Sequence, residues 1–325
     1  MSSEWIRIGR LRAALGGRAD ARVLVGIGDD AAVLAPVADP LVWTVDASVE
    51  GVHFRRDLLS LADVGYRATM AAASDLAAMG AAPLGLLAAL VLPPWVSDAD
   101  LDAIAAGQRE AADALGTAVL GGNLARGAEL SITTTALGTA ARPLTRTGAR
   151  AGDTLWMAGP VGLAAAGLAA LLRDAREARG ARGEPTDERS PAVTAWRRPR
   201  ARIVEGLRAA ALSGARAAID VSDGLAQDVG HLARASGVRA VLDAAALVGP
   251  ELVAAAASLG RDPLELALQG GEDYALVVVL RPGDTLEGFA RIGAVTPLEG
   301  SAHVALRRVD GVIAALDERG FDHFG

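Results

Sequence analysis

Carboxylates recur in this chain at the ends of apolar runs or inside them. Asp29 and Asp30 sit in the stretch Gly-Ile-Gly-Asp-Asp-Ala-Ala-Val-Leu at 26–34, Asp46 follows the apolar residues 41–45, and Asp75 interrupts an Ala/Leu/Met segment. Asp220 and Asp223 flank Ser222 after the apolar residues 217–219. Taken alone, the Asp29-Asp30 pair reads as an exposed turn. The repetition changes that reading, because acids that end or interrupt apolar runs point to an oxygen-rich pocket for a hard divalent ion. Two bare carboxylates 4 Å apart repel by about 1 kcal/mol in water and by more in a pocket, so such a cluster favours bound cations. Asp75 makes the same point singly: a carboxylate among Ala and Leu needs a cation or several hydrogen bonds, unless it lies on a helix surface.

Other residues point to phosphate. Double glycines precede Asn123 (Gly121-Gly122) and Glu272 (Gly270-Gly271), and a double glycine lets a ligand approach the backbone closely. Ser222 stands where a helix begins, as a natural N-cap or as a hydroxyl at a phosphate-binding helix N-terminus. Arg142 and Arg146 are spaced to clamp phosphate oxygens or to sit on the surface. The chain has no lysine, and so no Walker lysine, and it has no cysteine, which excludes disulfides, thiolate metal sites and a cysteine nucleophile. Acids, glycine turns and arginines without a Walker motif fit a metal-dependent phosphotransferase outside the P-loop class. Mg²⁺ is the ion that takes one or two carboxylates together with nucleotide phosphates. His53, after the acidic Glu50-Gly51, is either structural or a ligand contact.

At 325 residues the chain is long enough for two domains, and its 51% hydrophobic content with 3% aromatic residues gives a core of Ala, Leu and Val. A net charge of −7 argues against nucleic-acid binding. A polar start and the absence of a long apolar run predict a cytoplasmic protein with no membrane partner. Periodicity predicts helices over 4–15, 62–80, 98–115, 163–172, 200–211 and from 225 to 236, with shorter pieces over 252–259 and 264–267. Strands are predicted over 31–34, 41–45, 84–92, 118–120, 130–138, 154–158, 217–221, 239–242 and 275–280. Asp46 then opens a polar loop, Gly121-Gly122-Asn123 forms a turn, and 173–192 is a solvated loop. A boundary falls near 148–153, giving an N-terminal domain over 1–150 and a C-terminal domain over 151–325.

The motifs GIGDDAAVL (26–34), Asp46 through His53-Phe54, SDLAAMGA (74–81), Gly121-Gly122, LTRTG (144–148), IDVSDGL (219–225), GGEDY (270–274) and FDHF (321–324) together resemble the thiamine-monophosphate kinase family. The resemblance runs nearly end to end. Single motifs are shared with the wider aminoimidazole ribonucleotide synthetase superfamily, whereas GGEDY and FDHF are more particular to the kinase. The resemblance implies a two-domain fold with an N-terminal α/β domain that dimerises and a C-terminal α+β domain completing the active site. It implies ATP-dependent phosphorylation of thiamine monophosphate to thiamine diphosphate by direct in-line transfer, with several Mg²⁺ ions and no covalent nucleophile. By motif, Asp30, Thr44, Asp46, Asp75, Asn123, Asp220 and Asp223 fall at metal positions. Gly121, Gly122, Arg146 and Ser222 fall at ATP positions, and His53, Glu272 and Phe321 at substrate positions. Asn123 replaces the family's usual aspartate, and Val45 stands where the family commonly has a hydroxyl residue. The competing readings are a superfamily relative that uses ATP to activate another small acceptor, and a nucleotide-binding protein with weakened catalysis. The homodimer is also expected because the strand at 130–138 would leave a sheet edge unless paired.

Overall fold

The computed structural model describes residues 4–16, 21–177, 187 and 189–321. The chain forms two compact units, Met1–Leu76 with Ala81–Ala141, and Ala77–Gly80 with Arg142–Gly325. Both mix helix and sheet, as expected from the sequence.

The first unit contains α1 (Glu4–Leu15), β1 (Val23–Val25), β2 (Val33–Leu34), β3 (Leu41–Val49), α2 (Leu61–Ala78, its last residues counted with the second unit), β4 (Ala82–Leu92), α3 (Asp98–Ala114), β5 (Val119–Arg126) and β6 (Ser131–Thr139). Four strands form one sheet in the order β3-β6-β4-β5, with only β4 and β5 parallel. Alternation sorts its faces. Val42, Leu86, Ala88, Leu90, Ile132, Thr134 and Ala136 are buried on one face, while Leu41, Trp43, Val45 and Leu87 are exposed on the other. Ser97 caps α3 in a reciprocal box with Asp100, and Arg7 of α1 reaches Asp98 at 3.1 Å.

Three expectations change here. The strand β3 does not stop at Val45: it pairs with β6 without a break from Leu41 to Val49, so Asp46 lies inside a strand and not in a loop. The continuous ladder outweighs the poor strand propensity of one aspartate. Gly121-Gly122-Asn123 is not a turn but the middle of β5. A Cβ on Gly122 would fall 1.8 Å from the Ala88 carbonyl oxygen, so glycine is there to let two strands approach. Finally, β6 is paired on both sides, by β3 and β4, and leaves no edge. The edges of this sheet are β3 and β5.

The second unit contains β7 (Thr154–Ala158), α4 (Leu163–Glu177), α5 (Pro191–Arg197), α6 (Ile203–Ala211), β8 (Ala215–Val221), α7 (Leu225–Ser236), β9 (Val238–Asp243), α8 (Ala244–Leu247), α9 (Pro250–Leu259), α10 (Pro263–Gln269), β10 (Ala275–Leu280), β11 (Ala290–Pro297), β12 (Val304–Arg307) and β13 (Ile313–Ala315). Its seven strands run in the order β13-β12-β9-β11-β7-β10-β8, antiparallel except for β12 beside β9. β10 is buried along its whole length. On one face Leu163, Leu225, Val229, Leu232, Leu252 and Leu266 pack on Leu155, Ile219, Val277 and Val279. On the other, Ala209 and Leu144 join Ala218, Leu276 and Val278. The strands after residue 290 were not foreseen. Of the expected loop at 173–192, the first residues continue α4 and the last open α5, while 178–186 and 188 lie outside the described residues.

Candidate functional site

In the first unit, β3 carries Thr44 and Asp46 two residues apart, hence on one face. The Thr44 hydroxyl donates to Oδ2 of Asp75 at 2.5 Å, joining the strand to α2. Asp75 is half-buried, and this bond answers part of its need for a partner. Oδ1 of Asp46 accepts its neighbour's amide, Ala47 N–H, at 2.8 Å. Asp30 is exposed, and its amide donates to Asp29. His53 accepts the Val49 N–H on Nδ1 at 3.1 Å, which leaves Nε2 as the ring N–H of the neutral form. Asn123 is exposed. The register puts it in the row Ala89, Thr133, Ala47, one residue out of phase with Asp46, which shares its row with Thr134, Ala88 and Gly122. Gly121 pairs with Leu87.

In the second unit three distant segments meet on one loop. β8 delivers Asp220 and ends at Val221, and Ser222-Asp223-Gly224 leads into α7. The N-cap is Gly224 (φ 134°), not Ser222, and it makes no side-chain cap bond. The Ser222 carbonyl accepts the Glu272 N–H at 2.7 Å, and the Val221 carbonyl accepts the Tyr274 N–H at 2.8 Å. The Asp223 carbonyl accepts the Phe321 N–H at 3.0 Å. Motifs 219–225, 270–274 and the start of 321–324 therefore share one backbone network; Asp322, His323 and Phe324 lie outside the described residues. Glu272 (φ 66°) and Tyr274 (φ 49°) are left-handed non-glycine residues, a strained conformation that persists because those amide bonds hold it. A Cβ on Gly271 would stand 2.6 Å from the Ser222 carbonyl oxygen, so only glycine fits against the loop.

Several contributors were missed from sequence. Trp196 is buried and donates from Nε1 to Oε2 of Glu272 at 2.8 Å. Asp273 accepts the amides of Gly162 (2.5 Å) and Ala164 (3.0 Å) at the start of α4, and burial pushes its carboxyl up to about 7. Asp228, one turn into α7, accepts from the loop amides and is likewise pushed up to about 7, first by burial and then by the charges of Asp223 and Asp220. Its position in the first turn of a helix was the one available signal, and an acid there ordinarily reads as a dipole complement. Arg142 is not a phosphate clamp: its guanidinium donates to the carbonyls of Ala210, Leu212 and Ala215. Arg146 remains exposed, and with burial it lowers the pKa of His231.

These donors suit a hard cation in one particular way. They are all oxygens, with Thr44 bonded to Asp75 and with Asp220 and Asp223 both acting on Asp228, yet among the described residues no three His, Asp or Glu side chains form a ready cage. Mg²⁺ keeps several waters and takes few carboxylates plus phosphate oxygens, so a partial donor set fits an ion that arrives with a nucleotide.

Fold and site place the chain in a class: residues 28–140 match the N-terminal domain of AIR synthase related proteins, and residues 150–296 match their C-terminal domain. A thiamine-monophosphate kinase of Mycobacterium tuberculosis is 38% identical over 304 residues, 92% of this chain and 86% of that protein. The structure of AaThiL complexed with AMPPCP and TMP superposes with a TM-score of 0.79 at 30% identity, covering 99% of this chain and 97% of that one. The thiamine-monophosphate kinase of Stenotrophomonas maltophilia K279a gives 0.78 at 35% identity, over 95% and 97%. The chain belongs to the thiamine-monophosphate kinase family.

Proposed function

We propose that this chain is an ATP-dependent thiamine-phosphate kinase that makes thiamine diphosphate and ADP from thiamine monophosphate and ATP. An oxygen of the acceptor phosphate attacks the γ-phosphorus in line, and the bond to the β–γ bridging oxygen breaks, with no covalent enzyme intermediate. The observation that carries this reading is the meeting of the Asp220–Gly224, Glu272–Tyr274 and Phe321 segments on one loop. It supports the reading because these backbone bonds join segments that carry acids suited to nucleotide-bound cations to segments that carry a carboxylate and an aromatic suited to a cationic ring. When bound, Mg²⁺ neutralises charge that develops on the phosphates. Asp30, Thr44, Asp46, Asp75, Asn123, Asp220 and Asp223 would share several such ions. Gly121, Gly122, Arg146 and Ser222 serve ATP, and His53, Glu272 and Phe321 serve the thiamine moiety. The strained Glu272 backbone and the Trp196 indole fix where that carboxylate points. An N-terminal domain over 1–150 binds ATP and Mg²⁺ and dimerises, and a C-terminal domain over 151–325 completes the site. No helix among the described residues is long and apolar enough to cross a membrane; the proposed enzyme acts in the cytoplasm. The test is a timed assay with ATP, Mg²⁺ and thiamine monophosphate. Thiamine diphosphate and ADP are expected in equal amounts, with none after chelation. ATP consumption that is indifferent to thiamine monophosphate would defeat the reading.

Asn123 favours a second reading, a nucleotide binder with weakened catalysis, since an amide brings no charge to a cation. Asn123→Asp restores a charged oxygen at nearly the same size. At saturating ATP the Mg²⁺ concentration for half-maximal activity is expected to fall several-fold in this variant and to rise in Asn123→Ala. Superimposable titrations would take this position, exposed on β5, out of the site.

A further inference from the structure

Asp228 lies outside every motif that assigned a role, yet it bonds three successive amides of the candidate nucleotide loop. It is 4% exposed, and its Oδ2 accepts the amides of Ser222 (3.0 Å), Asp223 (3.1 Å) and Gly224 (3.1 Å). Three successive N–H groups gathered on one oxygen define a tight concave turn. These amides precede the first residue of α7, so the helix ladder does not use them, and leaving buried or part-buried N–H groups without this acceptor is costly. The turn settles where two side chains go. The Ser222 hydroxyl and the Asp223 carboxylate spring from the backbone atoms that Asp228 holds. Asp220 is anchored separately, in β8 opposite Leu276. The carbonyls of the same loop receive Glu272 and Phe321, so displacement of the turn also moves the thiamine side of the site.

We propose that Asp228 is a positioning residue that shapes the Ser222–Gly224 turn into its nucleotide-binding form. The proposal rests on the assignment of Ser222 and Asp223 to Mg²⁺–ATP. It acts by geometry: an amide oxygen at the same place can accept the same bonds, whereas a methyl group cannot.

The test is calorimetric binding of AMPPCP with Mg²⁺, read beside thermal melting. Asp228→Ala is expected to weaken binding tenfold or more in protein that is still folded, and Asp228→Asn to stay within threefold of the parent. A merely structural aspartate would lower the melting temperature of Asp228→Ala and leave the affinity of its folded form alone. If Asp228→Ala does not fold, Asp228→Glu takes its place, because one extra methylene displaces the acceptor and must weaken binding similarly. Affinity in the folded Ala or Glu variant within threefold of the parent overturns the proposal, as does an Asn variant as weak as Ala. Asp223→Ala separates the two layers. If it weakens binding while Asp228→Ala does not, only the positioning role fails; if both leave binding unchanged, the loop is not the nucleotide site and both readings fall.

Discussion

Asp223→Ala is expected to lower turnover by at least about a hundredfold, the scale of losing one group that stabilises transition-state charge in a preorganised site, while the protein stays folded. The second half of that expectation follows from the geometry. The backbone of residues 221–224 is held by other groups: Asp228 takes the amides of Ser222, Asp223 and Gly224, and the carbonyls of Val221, Ser222 and Asp223 accept from Tyr274, Glu272 and Phe321. The Asp223 carboxylate accepts a long 3.5 Å contact from Gln227 Nε2. In the free protein its charge adds repulsion, since after burial it and Asp220 push the Asp228 pKa upward. Removing one such charge relieves on the order of 1 kcal/mol, so the metal-free variant should melt about 2 °C higher than the parent. Loss of activity together with equal or higher thermal stability is the signature of a ligand residue, and a scaffold residue would lose both. Steady-state kinetics at saturating ATP and Mg²⁺ with paired melts decide it. A variant that keeps a tenth or more of parent turnover would remove Asp223 from the site.

The segments that meet on the candidate site's loop were legible because they carry residue types that stand out locally. Asp220, Ser222 and Asp223 at the end of an apolar strand, and Gly270-Gly271 before Glu272, announce themselves by type and spacing. What the sequence could not show was which glycines turn the chain and which let it close up. Gly121-Gly122 had the composition of a turn, but Gly122 is required by the approach of β5 to the Ala88 carbonyl, a contact set by a distant strand. Asp46 failed in the same way: its local preference marks a strand end, and a nine-residue ladder with β6 carries the strand past it. Ser222 fits the N-cap pattern, yet the cap falls at Gly224, because Asp228 satisfies the loop amides from inside the helix. Trp196 was invisible as a partner of Glu272, since the two are 76 residues apart and only the tertiary fold brings the indole N–H to the carboxylate.

Trp43→Asp is expected to break the proposed homodimer into monomers at micromolar concentration. The original argument for a dimer, an unpaired edge on the strand at 130–138, is gone, because β6 is interior. A better one comes from the face of the same sheet. Leu41 (59% exposed), Trp43 (72%) and Val45 (61%) alternate along β3, and Val45 shares a row with Thr135 and Leu87 (39%). The alternating pattern that buries Val42, Ile132 and Ala136 on the other side thus leaves an apolar stripe in water. Solvent-facing strands normally carry polar residues there, and an open apolar face of this kind marks an association surface. A second copy of the chain fits, since a stripe of this kind can pack on itself about a two-fold axis. Burying one large aromatic removes roughly 150–250 Å² from water, and at about 25 cal/mol/Å² both copies of Trp43 would contribute several kcal/mol before the cost of association. An aspartate in its place would put two carboxylates close together in an apolar contact, and so Trp43→Asp should weaken the dimer far more than Trp43→Ala. Val309→Asp is the control, because Val309 is 86% exposed but lies in the turn between β12 and β13, in a different sheet of the second unit. Light scattering coupled to gel filtration is expected to show dimer for the parent and Val309→Asp and monomer for Trp43→Asp. A monomeric parent, or a dimer that Trp43→Asp leaves intact, would sink the assignment of this face.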